Sequence, residues 1–296
     1  MIEVAGLTKL YGDFKAVDEL TFSVKKGNIF GIVGPNGAGK TTTLKMLAGL
    51  IGQSEGTIRI NGFDLKKEPV RIKAFLGFLP EESPLYEEMF VEDYLLFFSE
   101  LYNLDKKSAK KRIPNLLKDL ALVTNGKKIG DMSKGMKRKV AIARSLINDP
   151  EVLIYDEPTS GLDPMTSKFI TDYLSLLKNK GKTIIFSAHN LYQVETLCDH
   201  ILIMKDGKTI TLGTMDEIRK QFGNILYRIT FLVDDVSDFT ITEVEKNNGQ
   251  YVVTADDIDI VNLTTAWVAS RGGEIIDIKT IEMSLEEIFL ELMGTL

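Results

Sequence analysis

The chain has 296 residues, 44% apolar and 26% charged, which places it among globular proteins large enough for two domains rather than with disordered or fibrous chains. Its longest apolar run, residues 94–98, is far below the ~20 residues a spanning helix needs, and no secretory leader is read at residues 1–11. One cysteine, Cys198, and two histidines, His189 and His200, exclude an internal disulfide and a cysteine-rich zinc site. The net charge of -6 hides an asymmetry: from Gly213 onward there are 6 Lys/Arg against 16 Asp/Glu, while the preceding residues hold 30 against 26.

In chain order, residues 2–4, 20–24 and 29–33 read as short strands separated by turn residues Gly6, Gly12 and Gly27. Residues 42–50 suit a helix. From 86 to 145 the texture is helical: Val91, Tyr94, Leu95, Phe98, Leu101 and Tyr102 recur on one helical face and are expected in the core. Residues 152–155 and 183–187 read as strands buried on both faces, joined by a helix over 164–180 with Pro164 in its first turn and Gly181 at its end. That is a parallel strand, helix, strand unit. After a junction at 213–223, strands over 226–233, 251–254 and 274–281 and helices over 260–271 and 284–293 give a small α+β unit.

Gly34-Pro35-Asn36-Gly37-Ala38-Gly39-Lys40-Thr41 fits G-x-x-x-x-G-K-[ST] between a strand and a helix that Thr42 opens. Glycines let successive N–H groups turn toward phosphate oxygens, and the helix aims its positive end at them. Lys40 bridges the β- and γ-phosphates and the Thr41 hydroxyl ligates Mg²⁺. Such a match arises by chance in about one chain of this length in a hundred, so residues 34–42 are candidate nucleotide contacts. Val152-Leu153-Ile154-Tyr155-Asp156-Glu157 then delivers two carboxylates at the end of a buried strand, where open α/β sheets bind ligands. Asp156 suits Mg²⁺ held through water, and Glu157 suits polarising the attacking water.

On these residues the chain resembles the ATP-binding cassette (ABC) ATPases over roughly residues 2–220. Tyr11 matches the family's adenine-stacking aromatic position. Met132-Ser133-Lys134-Gly135-Met136, with Lys137-Arg138-Lys139 after it, is similar to its signature segment, commonly LSGGQ, and Ser160-Gly161-Leu162-Asp163 to its D-loop. His189 matches the switch histidine, and the glutamine that many relatives place near Mg²⁺ and water falls on Glu81. The resemblance implies an α/β P-loop cassette at 1–218 with an antiparallel β subdomain and a helical subdomain near 82–145, followed by a small α+β accessory domain at 219–296. It further implies ATP and Mg²⁺ as cofactors, with Thr41, Asp156 and Glu81 at the metal. Glu157 and His189 are the implied catalytic pair, and Ser133, Gly135 and Asp163 the implied nucleotide contacts. In the family two cassettes pair head to tail, so Ser133 and Gly135 of one meet the γ-phosphate held by Lys40 of the other.

The segment 79–95, the Ser-Lys-Gly-Met signature and the ending Met283-Ser284-Leu285-Glu286-Glu287-Ile288-Phe289-Leu290-Glu291-Leu292 are similar to the exporter branch that serves separate polytopic ABC-2-type permeases. The implied partners are a second copy or a related cassette and such a permease, at the inner face of the cell membrane in the cytoplasm. Nucleic acid is not expected, since no groove-reading motif accompanies the charge. Residues 106–144 carry 13 Lys/Arg, read either as a surface facing anionic lipids, at ~1 kcal/mol per residue, or as a solvated helix face. Two other readings compete: a soluble cassette ATPase acting on a ribosome, DNA or a signalling complex, and the cassette of an importer. The soluble classes usually add a second phosphate loop, zinc modules or long coiled coils, and the sequence carries none of these; the importer shares the hydrolytic machinery.

Overall fold

β1 (Ile2–Tyr11) and β2 (Phe14–Val24) form a long antiparallel hairpin in the computed structural model, which describes residues 1–223 and 225–294. The sequence shows only the hairpin's ends, because register shifts at Val4/Leu7, Leu7/Lys9 and Lys9/Leu10 interrupt the two-residue alternation that marks a half-buried strand. β3 (Ile29–Val33), buried at all five residues, runs into the phosphate loop and α1 (Lys40–Leu47). The short helix thus starts two residues earlier than expected, at the lysine itself.

β4 (Glu55–Ile60) and β5 (Phe63–Asp64) complete a four-stranded antiparallel sheet of order β2-β1-β4-β5. α2 (Pro69–Ala74) leads into β6 (Leu76–Leu79), and the helical stretch follows as α3 (Val91–Leu101), α4 (Lys106–Asp119) and α5 (Lys134–Ser145). The aromatic stripe enters the core at Val91, Tyr94 and Leu95, but Leu101, the last residue of α3, is 61% exposed. The basic residues of this stretch do not form one face. Lys106, Lys107, Lys110 and Lys111 are exposed, Arg112, Lys128 and Lys137 pair with Asp149, Glu88 and Glu87, and Arg138 is buried.

β7 (Val152–Tyr155), α6 (Pro164–Asn179), β8 (Thr183–Ser187), α7 (Leu191–Leu197), β9 (His200–Lys205) and β10 (Lys208–Gly213) close this part of the chain. The central sheet has order β10-β9-β3-β8-β7-β6, parallel throughout except for the antiparallel β9–β10 pair. Ile29, Ile32, Val33, Leu153, Ile154, Ile184 and Ile185 have no solvent exposure, as expected of strands covered on both faces. At β6, β3, β8 and β7 the chain leaves the sheet at the same edge, so the segments after Leu79, Val33, Tyr155 and Ser187 converge there.

The chain divides into two units, Met1–Met215 and Asp216–Leu296, three residues before the boundary the sequence suggested. α8 (Met215–Phe222) opens the second. β11 (Ile225–Leu232), β12 (Val244–Asn247), β13 (Gln250–Ala255) and β14 (Glu274–Glu282) form an antiparallel sheet of order β12-β13-β11-β14, with α9 (Ile258–Ser270) and α10 (Leu285–Met293). β12, whose four residues Val-Glu-Lys-Asn carry no apolar alternation, was not legible in the sequence. The core of this unit gathers Ile229, Phe231, Val253, Val261 and Val268, with Trp267 edge-on to Phe239 at 5.0 Å. Ser284 and Glu287 cap α10 reciprocally, which fixes where that helix starts.

Candidate nucleotide site

The loop after β3 has a shape that glycine alone permits at two positions. At Gly39, φ is 97° and a Cβ would lie 2.5 Å from the Ala16 carbonyl oxygen; at Gly34 it would lie 2.4 Å from that of Met204. Lys40 therefore begins α1 with its side chain folded back under the loop, 6% exposed, and Nζ donates to the Gly34 and Pro35 carbonyls at 2.7 and 3.1 Å. Burial pulls its pKa below the usual lysine value, against the nearby negative charges of Glu157, Asp156 and Glu81.

Two strands deliver the acidic side. Asp156, directly after β7, is 1% exposed and accepts a hydrogen bond from Ser187 Oγ at 2.6 Å. That hydroxyl in turn accepts from the Glu157 backbone N–H at 3.0 Å. Ser187, the last residue of β8, thus ties the two acidic residues together. Glu157 adopts φ 46°, in the left-handed region, and is 6% exposed, with Oε1 2.6 Å from His189 Nε2. Its pKa is raised, first by burial, with His189 and Lys40 opposing and the charges of Glu81 and Asp156 adding to the rise.

An open cleft of about 340 Å³ is lined by Tyr11, residues 36–42, Glu81, Glu157 and His189, while Asp156 and Ser187 lie buried beneath Glu157 and do not line it. Gly34 and Pro35 serve it from behind through the carbonyls that hold Lys40. Tyr11 and Phe14 face each other across the hairpin turn and are half or more exposed, so the rim offers two aromatic rings rather than one. Ser133, Gly135 and Asp163 do not line the cleft. Ser133 Oγ caps α5 by accepting from the Met136 N–H, and Asp163 caps α6 by accepting from the Thr166 N–H.

Sequence reasoning missed Phe14 and Ser187, and it read Arg138 only as part of the basic run after the signature segment. Phe14 had a signal, an aromatic just past a Gly-Asp turn from Tyr11; Ser187, a hydroxyl ending an apolar strand two residues before His189, had a weaker one. Arg138, from the second turn of α5, places its guanidinium beside the backbone of Glu81 and Glu157, and nothing local distinguishes it from its basic neighbours.

A phosphate loop at the end of a central parallel strand, with a buried carboxylate pair at the end of the strand two places along the same sheet, defines a P-loop nucleotide hydrolase. The family model for ABC transporters matches residues 17–160, and that for the C-terminal domain of DrrA1-3-like ATP-binding proteins matches 213–293. The chain is 33% identical to the linearmycin resistance ATP-binding protein LnrL of Bacillus subtilis, over 99% of this chain and 98% of the relative. A solved ATP-binding subunit of an ABC transporter superposes with a TM-score of 0.69 at 34% identity, covering 75% of this chain and 93% of that one. A dimeric cassette solved with ADP and Pi superposes with a TM-score of 0.67 at 26% identity, covering 73% and 99%. The chain belongs to the ABC transporter family and is an ATP-binding subunit of a transporter, an ATPase that powers transport.

Proposed function

We propose that this chain is the ATPase of an exporter: it pairs head to tail with a second copy or a related cassette and drives a separate polytopic permease of the ABC-2 type from the inner face of the membrane. The observation that carries this reading is the similarity to a resistance ATP-binding protein along nearly the whole of both chains, together with the DrrA-like model on the C-terminal unit. Among the described residues no helix is long and apolar enough to cross a membrane.

The chemistry follows from the groups in the cleft. Loop N–H groups and the start of α1 receive the phosphates, and Lys40 exchanges its carbonyl partners for β- and γ-phosphate oxygens. The aromatic rim at Tyr11 and Phe14 stacks on the base. The buried Asp156 carboxylate, with acceptor capacity beyond its bond to Ser187, and the Thr41 hydroxyl would hold a small hard cation, with Glu81 at the mouth of the cleft. Mg²⁺, held by these residues, would supply positive charge to offset that of the phosphates. Glu157 accepts a proton from the water whose oxygen attacks the γ-phosphorus, the bond to the β,γ-bridging oxygen breaks, and ADP and phosphate leave. His189, already on Glu157, orients that carboxylate and hydrogen-bonds the γ-phosphate. Ser133, Gly135 and Asp163, which lie off the chain's own cleft, act on the nucleotide of the paired cassette.

The test is affinity purification of tagged Glu157→Gln protein with ATP from detergent-solubilised source cells. A polytopic membrane protein in stoichiometric amount is expected, and transport by the reconstituted pair then gives the direction. Ribosomal proteins, or no membrane chain, would sink the exporter reading.

Because Glu81 adds to the raised pKa of Glu157, Glu81→Gln has a definite sign. Glu157 acts when deprotonated, so its raised pKa in the nucleotide-free site lifts the acidic limb of the kcat/KM profile. Removing the Glu81 charge lowers that pKa and moves the limb to lower pH. An unmoved limb, or one displaced upward, would show that the two carboxylates do not couple.

A further inference from the structure

We propose that Arg138 is a positioning residue for ATP hydrolysis: one guanidinium grips the main chain of both Glu81 and Glu157 and keeps these two arrivals at the cleft in register. The inference rests on Glu157 being the base. Arg138 lies on α5, is 8% exposed, and reaches from that helix to the ends of β6 and β7. Nε donates to the Pro158 carbonyl at 2.9 Å. Nη1 donates to the Pro80 and Glu81 carbonyls at 2.8 and 2.9 Å and to Ser83 Oγ at 3.3 Å. Nη2 donates to the Asp156 and Glu157 carbonyls at 3.1 and 2.6 Å.

Three features set this apart from an ordinary buried cation. Every acceptor is neutral, so a charge has been taken out of water for hydrogen-bond geometry rather than for an ion pair. All three guanidinium nitrogens are engaged, and the fork spans two chain segments that leave separate strands. Finally, Glu157 is held on both sides of its Cα, by Ser187 Oγ at its N–H and by Arg138 Nη2 at its carbonyl. Its backbone sits in the left-handed region, which such clamping maintains and which sets the direction of the carboxylate. Lysine offers three donors on one nitrogen and cannot span the five carbonyls.

Arg138→Lys and Arg138→Met, compared with the wild-type chain and with Glu157→Gln, test this by thermal unfolding, ATP affinity and the separation of kcat from KM. The expected result is folded Arg138→Lys protein that binds ATP within about threefold of wild type and loses at least about tenfold in kcat, since small misplacements of reacting groups cost up to about 10²-fold. A purely structural arginine would instead lower ATP affinity, kcat and folded fraction together, and that outcome overturns the proposal, as does wild-type kcat in both variants. If Arg138→Met does not fold, Arg138→Lys alone decides. Turnover lost in Glu157→Gln but kept in the Arg138 variants removes only the Arg138 inference; turnover kept in Glu157→Gln removes the base on which it rests.

Discussion

Glu157→Gln is expected to bind ATP with nearly wild-type affinity and to turn over about 10²–10⁴-fold more slowly, the range that a positioned base contributes. The amide matches the carboxylate in size and still has an oxygen to accept from His189, which approaches Oε1 at 2.6 Å. It cannot take a proton from water. The loss corresponds to about 3–5 kcal/mol of transition-state stabilisation with the ground-state contacts kept, so kcat falls while the dissociation constant stays put. Single-turnover phosphate release and equilibrium nucleotide binding on the same preparation measure the two quantities separately. Turnover within a few fold of wild type would remove Glu157 from the role of base.

Lys40→Ala is expected to do the reverse, weakening ATP binding by about 10–100-fold. Hydrogen bonds to charged groups contribute about 1.5–3 kcal/mol each, and every 1.4 kcal/mol is tenfold in affinity. The lysine is buried beneath its own loop, with Nζ on the Gly34 and Pro35 carbonyls. Alanine leaves those carbonyls without a donor and the phosphates without a cation, while the glycines that shape the loop remain. Thermal unfolding of the nucleotide-free variant close to wild type, with nucleotide affinity lost, separates a binding role from a folding role. Unchanged affinity would mean that the loop N–H groups alone hold the phosphates.

How much could be read beforehand depended on whether a feature is local. β7 and β8 were read to the residue because a strand covered on both faces is a plain apolar run bounded by polar turns. The phosphate loop and the Asp156-Glu157 pair were legible because loop chemistry is written in consecutive residues. The β1–β2 hairpin was under-read because its bulges scramble the alternation, and β12 because its residues are polar. Ser187 and Arg138 escaped for another reason. Ser187 meets Asp156 across 31 positions, and Arg138 meets Glu81 and Glu157 across 57 and 19, so their contacts exist only once the strands are parallel and in order. Asp163 is legible twice over, by resemblance as a nucleotide contact and by Asp-Pro as a helix start; in the chain itself its carboxylate serves the helix.

The left-handed backbone at Glu157 also narrows how such a site can decay through evolution. Asparagine, aspartate and glycine tolerate that conformation, whereas valine, isoleucine and threonine do not. A lineage that silences hydrolysis while keeping a nucleotide-binding scaffold therefore has a short menu at position 157, and its survivors are expected to keep Ser187 and Arg138, whose bonds to residue 157 are to its main chain and do not depend on which side chain it carries. Relatives with a changed residue at 157 but the same serine and arginine are the expected fossils of that route.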